Sequence, residues 1–183
     1  MRVAAVERIV SMQEFQKQVQ APVPVEALFA WHERAGAFER LSPPWDRPKV
    51  LEHTGGIRDG AKVVLQVHAG PVPTTWTLEH RDYIANRQFR DVMRKGPFAA
   101  WEHTHGFAPI DAQSSMLDDH IRYALPLGGL GSAVAGTHTQ RTLARVFAYR
   151  HAVMLGDLAR HAEFADRPRR RIAITVTFHV ATH

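Results

Sequence analysis

No cysteine occurs among the 183 residues. Disulfide staples, thiolate nucleophiles and sulfur ligation of a metal are therefore excluded, and a reducing compartment fits. No stretch approaches the ~20 consecutive apolar residues that a spanning helix needs. Met1 to Val10 carries Arg2, Glu7 and Arg8 without an apolar centre, so it does not read as a secretory signal, and the expected location is cytoplasmic. The glycine-rich run Leu127 to Gly136 has no Gly-Lys-Ser/Thr after it, which excludes a phosphate-binding P-loop. Ser114, Ser115 and Ser132 lack any nucleophile-elbow context. Positive charge is massed only at Arg167 to Arg171, the rest of the net +5 being scattered among acidic residues. That pattern suits a solvated surface and makes a nucleic-acid partner unlikely, since such proteins concentrate charge on one face. Sequence repeats are absent.

A hydrophobic fraction of 45% suits one globular domain. Its main topological clue is Ala21 to Asp46. Pro22 and Pro24 suit the entry to a helix, and Val25, Leu28, Phe29 and His32 then share one side of it. Gly36 breaks that helix, Ala37 to Leu41 gives one more turn, and Ser42-Pro43-Pro44 ends it. Around this insertion the pattern is extended. Met12 to Gln20 alternates before it, and strands are expected after it at Lys49–His53, Val63–Val67, Thr74–Tyr83, Gln88–Lys95, Phe98–Phe107 and Ser114–Leu125. Turn signals without intervening helices imply an antiparallel sheet. Leu127 to Gly136 is expected to be a connection. Thr137 to Phe164 is then one long helix, with Leu143, Phe147, His151, Met154 and Leu158 as its buried stripe.

Period-two alternation places polar residues on the inward face. Trp101, His103, His105 and Phe107 share a side of one strand. His80 goes with Trp76 and Leu78, Asp91 with Phe89 and Met93, and Asp119 with Leu117, Ile121 and Tyr123, while His151 joins from the helix stripe. Such residues can pair among themselves and only support the fold. They can instead form the polar end of a ligand pocket. A third reading uses His103, His105 and Asp119 as two histidines and a carboxylate around a metal, although His-x-His alone is a weak motif. A wrapped sheet that leaves a gap under its helix favours the pocket. Its walls would be Phe29, Leu65, Trp76, Phe89, Trp101, Phe107, Tyr123, Phe147 and Met154, and its polar end His103, His105, Asp119 and His151. No catalytic residue, metal or cofactor is assigned.

The order strand, two short helices, six strands and long C-terminal helix resembles the START-like superfamily, the polyketide cyclase/dehydrase and lipid transport group. Residues 24–45, 96–107, 117–128 and 145–158 resemble the START-like domain that bacteria fuse to epimerase-type dinucleotide-binding domains. The resemblance implies an α+β helix-grip fold, a curved sheet of about seven strands around the long helix, spanning 12–166 between a leader (1–11) and a tail (167–183). Arg170 to Thr175 resembles the first strand of the fused domain, but no glycine follows Gly156, so no pyrophosphate turn is present. The tail is expected to be a remnant of a lost domain. The implied function is non-catalytic binding of a small hydrophobic or amphipathic molecule. The alternatives are a cyclase or dehydratase using a cavity histidine as acid or base, and a macromolecular docking module.

Overall fold

The computed structural model describes residues 12–46, 48–69, 72–126 and 129–168; residues 1–11, expected as a leader, and 172–183, expected as a remnant, lie outside the described residues. Strand β1 (Gln13–Ala21) leads into helices α1 (Val25–Glu33) and α2 (Ala37–Arg40). Gly36, at φ +86°, makes the left-handed turn between the helices that a residue with a Cβ would resist. Six strands follow: β2 (Lys49–Thr54), β3 (Lys62–Ala69), β4 (Val72–Ile84), β5 (Gln88–Lys95), β6 (Ala100–Pro109) and β7 (Ser115–Ala124). They form one antiparallel sheet of seven strands in the order β1-β7-β6-β5-β4-β3-β2. The chain therefore meanders from β2 to β7 and closes on its own first strand. The architecture is the expected α+β helix-grip arrangement.

Helix α3 (Gly129–Glu163) starts eight residues before the sequence-based boundary at Thr137. Glycine costs up to about 1 kcal/mol per helical position relative to alanine, which is why 127–136 reads as a connection. Docking on the sheet overrides that preference, with Ala135 packed against the apolar cluster that contains Phe15 and Phe147. Gln140 Nε2 donates to the Glu14 carbonyl at 2.8 Å and to the Tyr123 hydroxyl at 3.1 Å, anchoring the helix to β1 and β7. The expected stripe Leu143, Phe147, His151, Met154 and Leu158 is buried throughout.

Two apolar clusters result. One joins Leu28, Phe29 and Trp31 of α1 to Phe89, Phe107, Leu117 and the Met154–Leu158 end of α3. The other joins Phe15, Leu65, Trp101, Ile121 and Tyr123 to Leu143 and Phe147. A band of histidines and aspartates crosses the sheet between them.

Candidate functional site

Strand register builds this band. His80 of β4 stands opposite Asp91 of β5, and Asp91 opposite His103 of β6. Two residues along β6, His105 stands between Phe89 of β5 and Asp119 of β7. Because side chains alternate across a strand, this register puts all five polar groups on the face that α3 covers. His151 comes down from α3, and His32 comes from α1.

Asp119 is the hub. Its Oδ1 accepts a hydrogen bond from His103 Nε2 at 2.9 Å, and its Oδ2 accepts one from His151 Nε2 at 2.7 Å. His105 Nδ1 lies 2.8 Å from Oδ1, in ion-pair reach but off the line of a hydrogen bond. Asp91 is a second hub. His80 Nε2 lies 2.8 Å from its Oδ1, also off line, and His105 Nε2 donates to its Oδ2 at 3.4 Å. His103 Nδ1 is 3.7 Å from the same Oδ2, beyond hydrogen-bonding distance. The imidazoles of His103 and His105 lie 3.8 Å apart, and Phe89 stacks on His105 at 4.2 Å.

These groups differ sharply in charge. Burial alone would raise both carboxyls, but His80 and His105 hold Asp91, and His103, His105 and His151 hold Asp119, well below the usual range. Burial also opposes a proton on His105, yet the bond and charge of Asp119, then those of Asp91, outweigh it and raise its pKa to about 9. His103 is pushed down to about 4 by burial and by the neighbouring His105, and His32 to about 4 for the same two reasons. Arg150 supplies a second positive charge. Burial lowers its pKa while Asp119 and Asp91 counteract this, and its Nε donates to the Leu41 carbonyl at 3.2 Å. The His105 imidazolium, in ion-pair reach of both carboxylates, thus offsets their charge, and Arg150 lines the same void as Asp119.

The expected gap under the helix is almost filled. Between sheet, α3 and the end of α2 the remaining void is ≈10 Å³, room for about one water. Its polar lining is His32, His105, Asp119, Arg150 and His151, and its apolar lining is Leu41, Leu117, Phe147 and Met154. Of the sequence-predicted site residues, His105, Asp119, Phe147, His151 and Met154 meet there. His103 lies one bond away through Asp119. Phe29, Phe89 and Phe107 pack into the first apolar cluster, while Leu65, Trp101 and Tyr123 pack into the second, with half-buried Trp76 against it. These side chains, aromatic but for Leu65, occupy the volume that the sequence reading left open.

Sequence reasoning did not place His32, Leu41, Leu117 or Arg150 at the site. Arg150 is next to His151 on α3, so one step around the buried stripe would have found it. His32 lies on the inward side of α1, where Nδ1 donates to the Leu28 carbonyl at 2.9 Å, leaving Nε2 with its lone pair. His151 is equally asymmetric: Nε2 carries the proton facing Asp119, and its buried Nδ1 has no partner among the described residues.

Across α1 and α2 from this void lies an open groove of ≈670 Å³. Trp31, Ala37 and Val50 form part of its floor, and Arg34, Arg40 and His161 part of its rim. The helices act as a partition: His32 and Leu41 face in, while Trp31, Arg40 and Ser42 line the groove.

The sequence model for polyketide cyclase / dehydrase and lipid transport proteins matches residues 21–158. Among curated proteins, no sequence matches the chain. A norcoclaurine synthase from Thalictrum flavum superposes with a TM-score of 0.67 at 10% identity, over 85% of this chain and 99% of that one. The ZhuI aromatase/cyclase from Streptomyces sp. R1128 gives 0.63 at 18% identity, again over 85% and 99%. A nucleoside-diphosphate sugar epimerase from Corynebacterium glutamicum gives 0.65 at 22% identity, over 82% of this chain but 30% of that protein. At these identities the likeness is one of fold. No helix among the described residues is long and apolar enough to cross a membrane.

Proposed function

The chain belongs to the polyketide cyclase / dehydrase and lipid transport family, and from that premise we propose that it binds a small, mainly apolar molecule carrying a hydroxyl group between sheet and α3. The observation that carries this reading is the pair of void-lining histidines with uncommitted lone pairs. His32 Nε2 is an acceptor, because burial keeps that ring neutral and its Nδ1 proton goes to the Leu28 carbonyl, and in the neutral tautomer that donates Nε2–H to Asp119 the unpartnered His151 Nδ1 is an acceptor as well. A donor such as an alcohol or phenol satisfies one of them, and the rest of the molecule lies against Phe147, Met154, Leu117 and Leu41. Since only ≈10 Å³ is open, entry requires α1–α2 to move away from α3 and the side chains of Leu41 and Met154 to turn aside.

Comparing 2-naphthol with naphthalene tests this. A ligand hydroxyl held by a buried acceptor is expected to give naphthol at least about tenfold tighter binding, ~1.4 kcal/mol. Replacing both acceptors, with His151→Phe and His32→Phe together, is expected to remove that difference. Equal affinities for the two probes in the wild type would overturn the reading.

A second reading is favoured by the same His151 arrangement. An imidazole held by a carboxylate on one nitrogen and free on the other is the layout of a general base, so a cyclase or dehydratase step would use His151. Conversion of a bound phenolic polyketide, against its unchanged recovery, separates catalysis from carriage.

A further inference from the structure

Asp119 does something else besides closing the void. By taking His103 Nε2 at 2.9 Å and His105 Nδ1 at 2.8 Å on a single oxygen, it turns both imidazoles the same way. Their other nitrogens, His103 Nδ1 and His105 Nε2, then face one oxygen of Asp91 at 3.7 and 3.4 Å. The three ligand atoms all lie within 4.8 Å of one another. We propose that Asp91, His103 and His105 form a binding site for a divalent transition-metal ion of the zinc class, with Asp119 as the outer carboxylate that orients both histidines.

The spacing suits such an ion. Neighbouring ligands around a tetrahedral zinc with bonds of ~2.1 Å stand about 3.4 Å apart, close to the 3.4 and 3.7 Å that separate the two histidine nitrogens from the Asp91 oxygen. Two imidazoles and a carboxylate, without sulfur, select zinc, cobalt, nickel or iron over calcium and magnesium. The outer shell is also of the kind such sites use, because a metal-bound histidine commonly donates its second N–H to a carboxylate and the ligating carboxylate is itself held. Here His80 Nε2, 2.8 Å from the other Asp91 oxygen, does the holding. Binding releases the proton shared between His105 Nε2 and Asp91, and the dication then balances the two carboxylates. One alternative of the sequence reading had Asp119 among the ligands; in the structure Asp119 lies against one nitrogen of each ring, and Asp91 faces His103 Nδ1 and His105 Nε2, of which His105 Nε2 must give up its proton to bind a metal.

The test uses the full chain without a histidine tag, stripped with EDTA and titrated with Co²⁺. One equivalent is expected, with the intense visible absorption of a tetrahedral site and a raised melting temperature. Asp91→Asn and His103→Gln are expected to abolish the absorption, Asp119→Asn to weaken binding by about 10–100-fold, and His161→Ala to leave it unchanged. Should the variants fail to fold, paramagnetic NMR of the wild type decides, with His103 and His105 expected to be the most strongly shifted histidines. No cobalt absorption in the wild type, paramagnetic shifts confined to exposed histidines, or full binding by folded Asp91→Asn and His103→Gln would overturn the site. None of these outcomes depends on naphthol binding.

Discussion

Two concave regions lie on opposite sides of α1–α2, and they divide room and chemistry between them. The outer groove offers ≈670 Å³, within the range of about 300–1,000 Å³ typical of ligand pockets, but its rim is surface arginine and histidine. The inner void offers ≈10 Å³ and is lined by one carboxylate, three imidazoles and an arginine. Volume alone would choose the groove. Chemistry chooses the interior, because buried titratable groups carry a desolvation cost that solvent-facing ones do not. The difference teaches that a closed cavity is judged by what lines it and by what can move to open it.

The largest effect is expected from breaking the inner hub. Asp119→Ala leaves His103 and His151 without their acceptor and His105 without its nearest counter-charge, so urea unfolding should show a loss of about 3–5 kcal/mol. A loss below about 1 kcal/mol would mean that the buried network contributes little to stability. Met154→Ala sharpens the contrast in another way. It removes a fully buried side chain from the void wall, costing about 2–5 kcal/mol while making room, so weaker stability should accompany tighter 2-naphthol binding. Tighter binding would not follow if the probe sat in the groove.

The smallest effect is expected on the outer rim. Arg40 grips Asp157 through both oxygens, at 3.0 and 2.5 Å, but is itself largely exposed. Arg40→Ala should lower the melting temperature only slightly, and less in high salt. The hydrogen bond from Arg40 lowers the Asp157 pKa, so any contribution is fully present above the ordinary carboxylate value and disappears as pH falls through the depressed one. A melting temperature of the variant that converges on the wild type at acid pH checks the sign.

Much of the inner side was legible in the sequence because alternation is a local property. Trp101, His103, His105 and Phe107 had to share a face once β6 was a strand, and the stripe through His151 had to meet them. What alternation cannot give is the distance between sheet and helix. Whether Phe29, Phe89, Phe107 and Phe147 wall a cavity or fill it depends on that distance, and they fill it. Long-range partners were equally hidden. Asp91 and Asp119 are two strands apart, and only the register through β6 shows that they share His105. The early start of α3 was missed because glycine content is read locally, whereas Ala135 in the added turns packs against an apolar cluster drawn from strands distant in sequence.

The most direct measurement is NMR of ¹⁵N-histidine-labelled protein titrated with 2-naphthol. The ring nitrogens of His151 and His32, inside the partition, are expected to move, and those of His161 in the groove to stay in place. Movement of His161 with His151 and His32 unchanged would place the bound molecule outside and contradict the interior site.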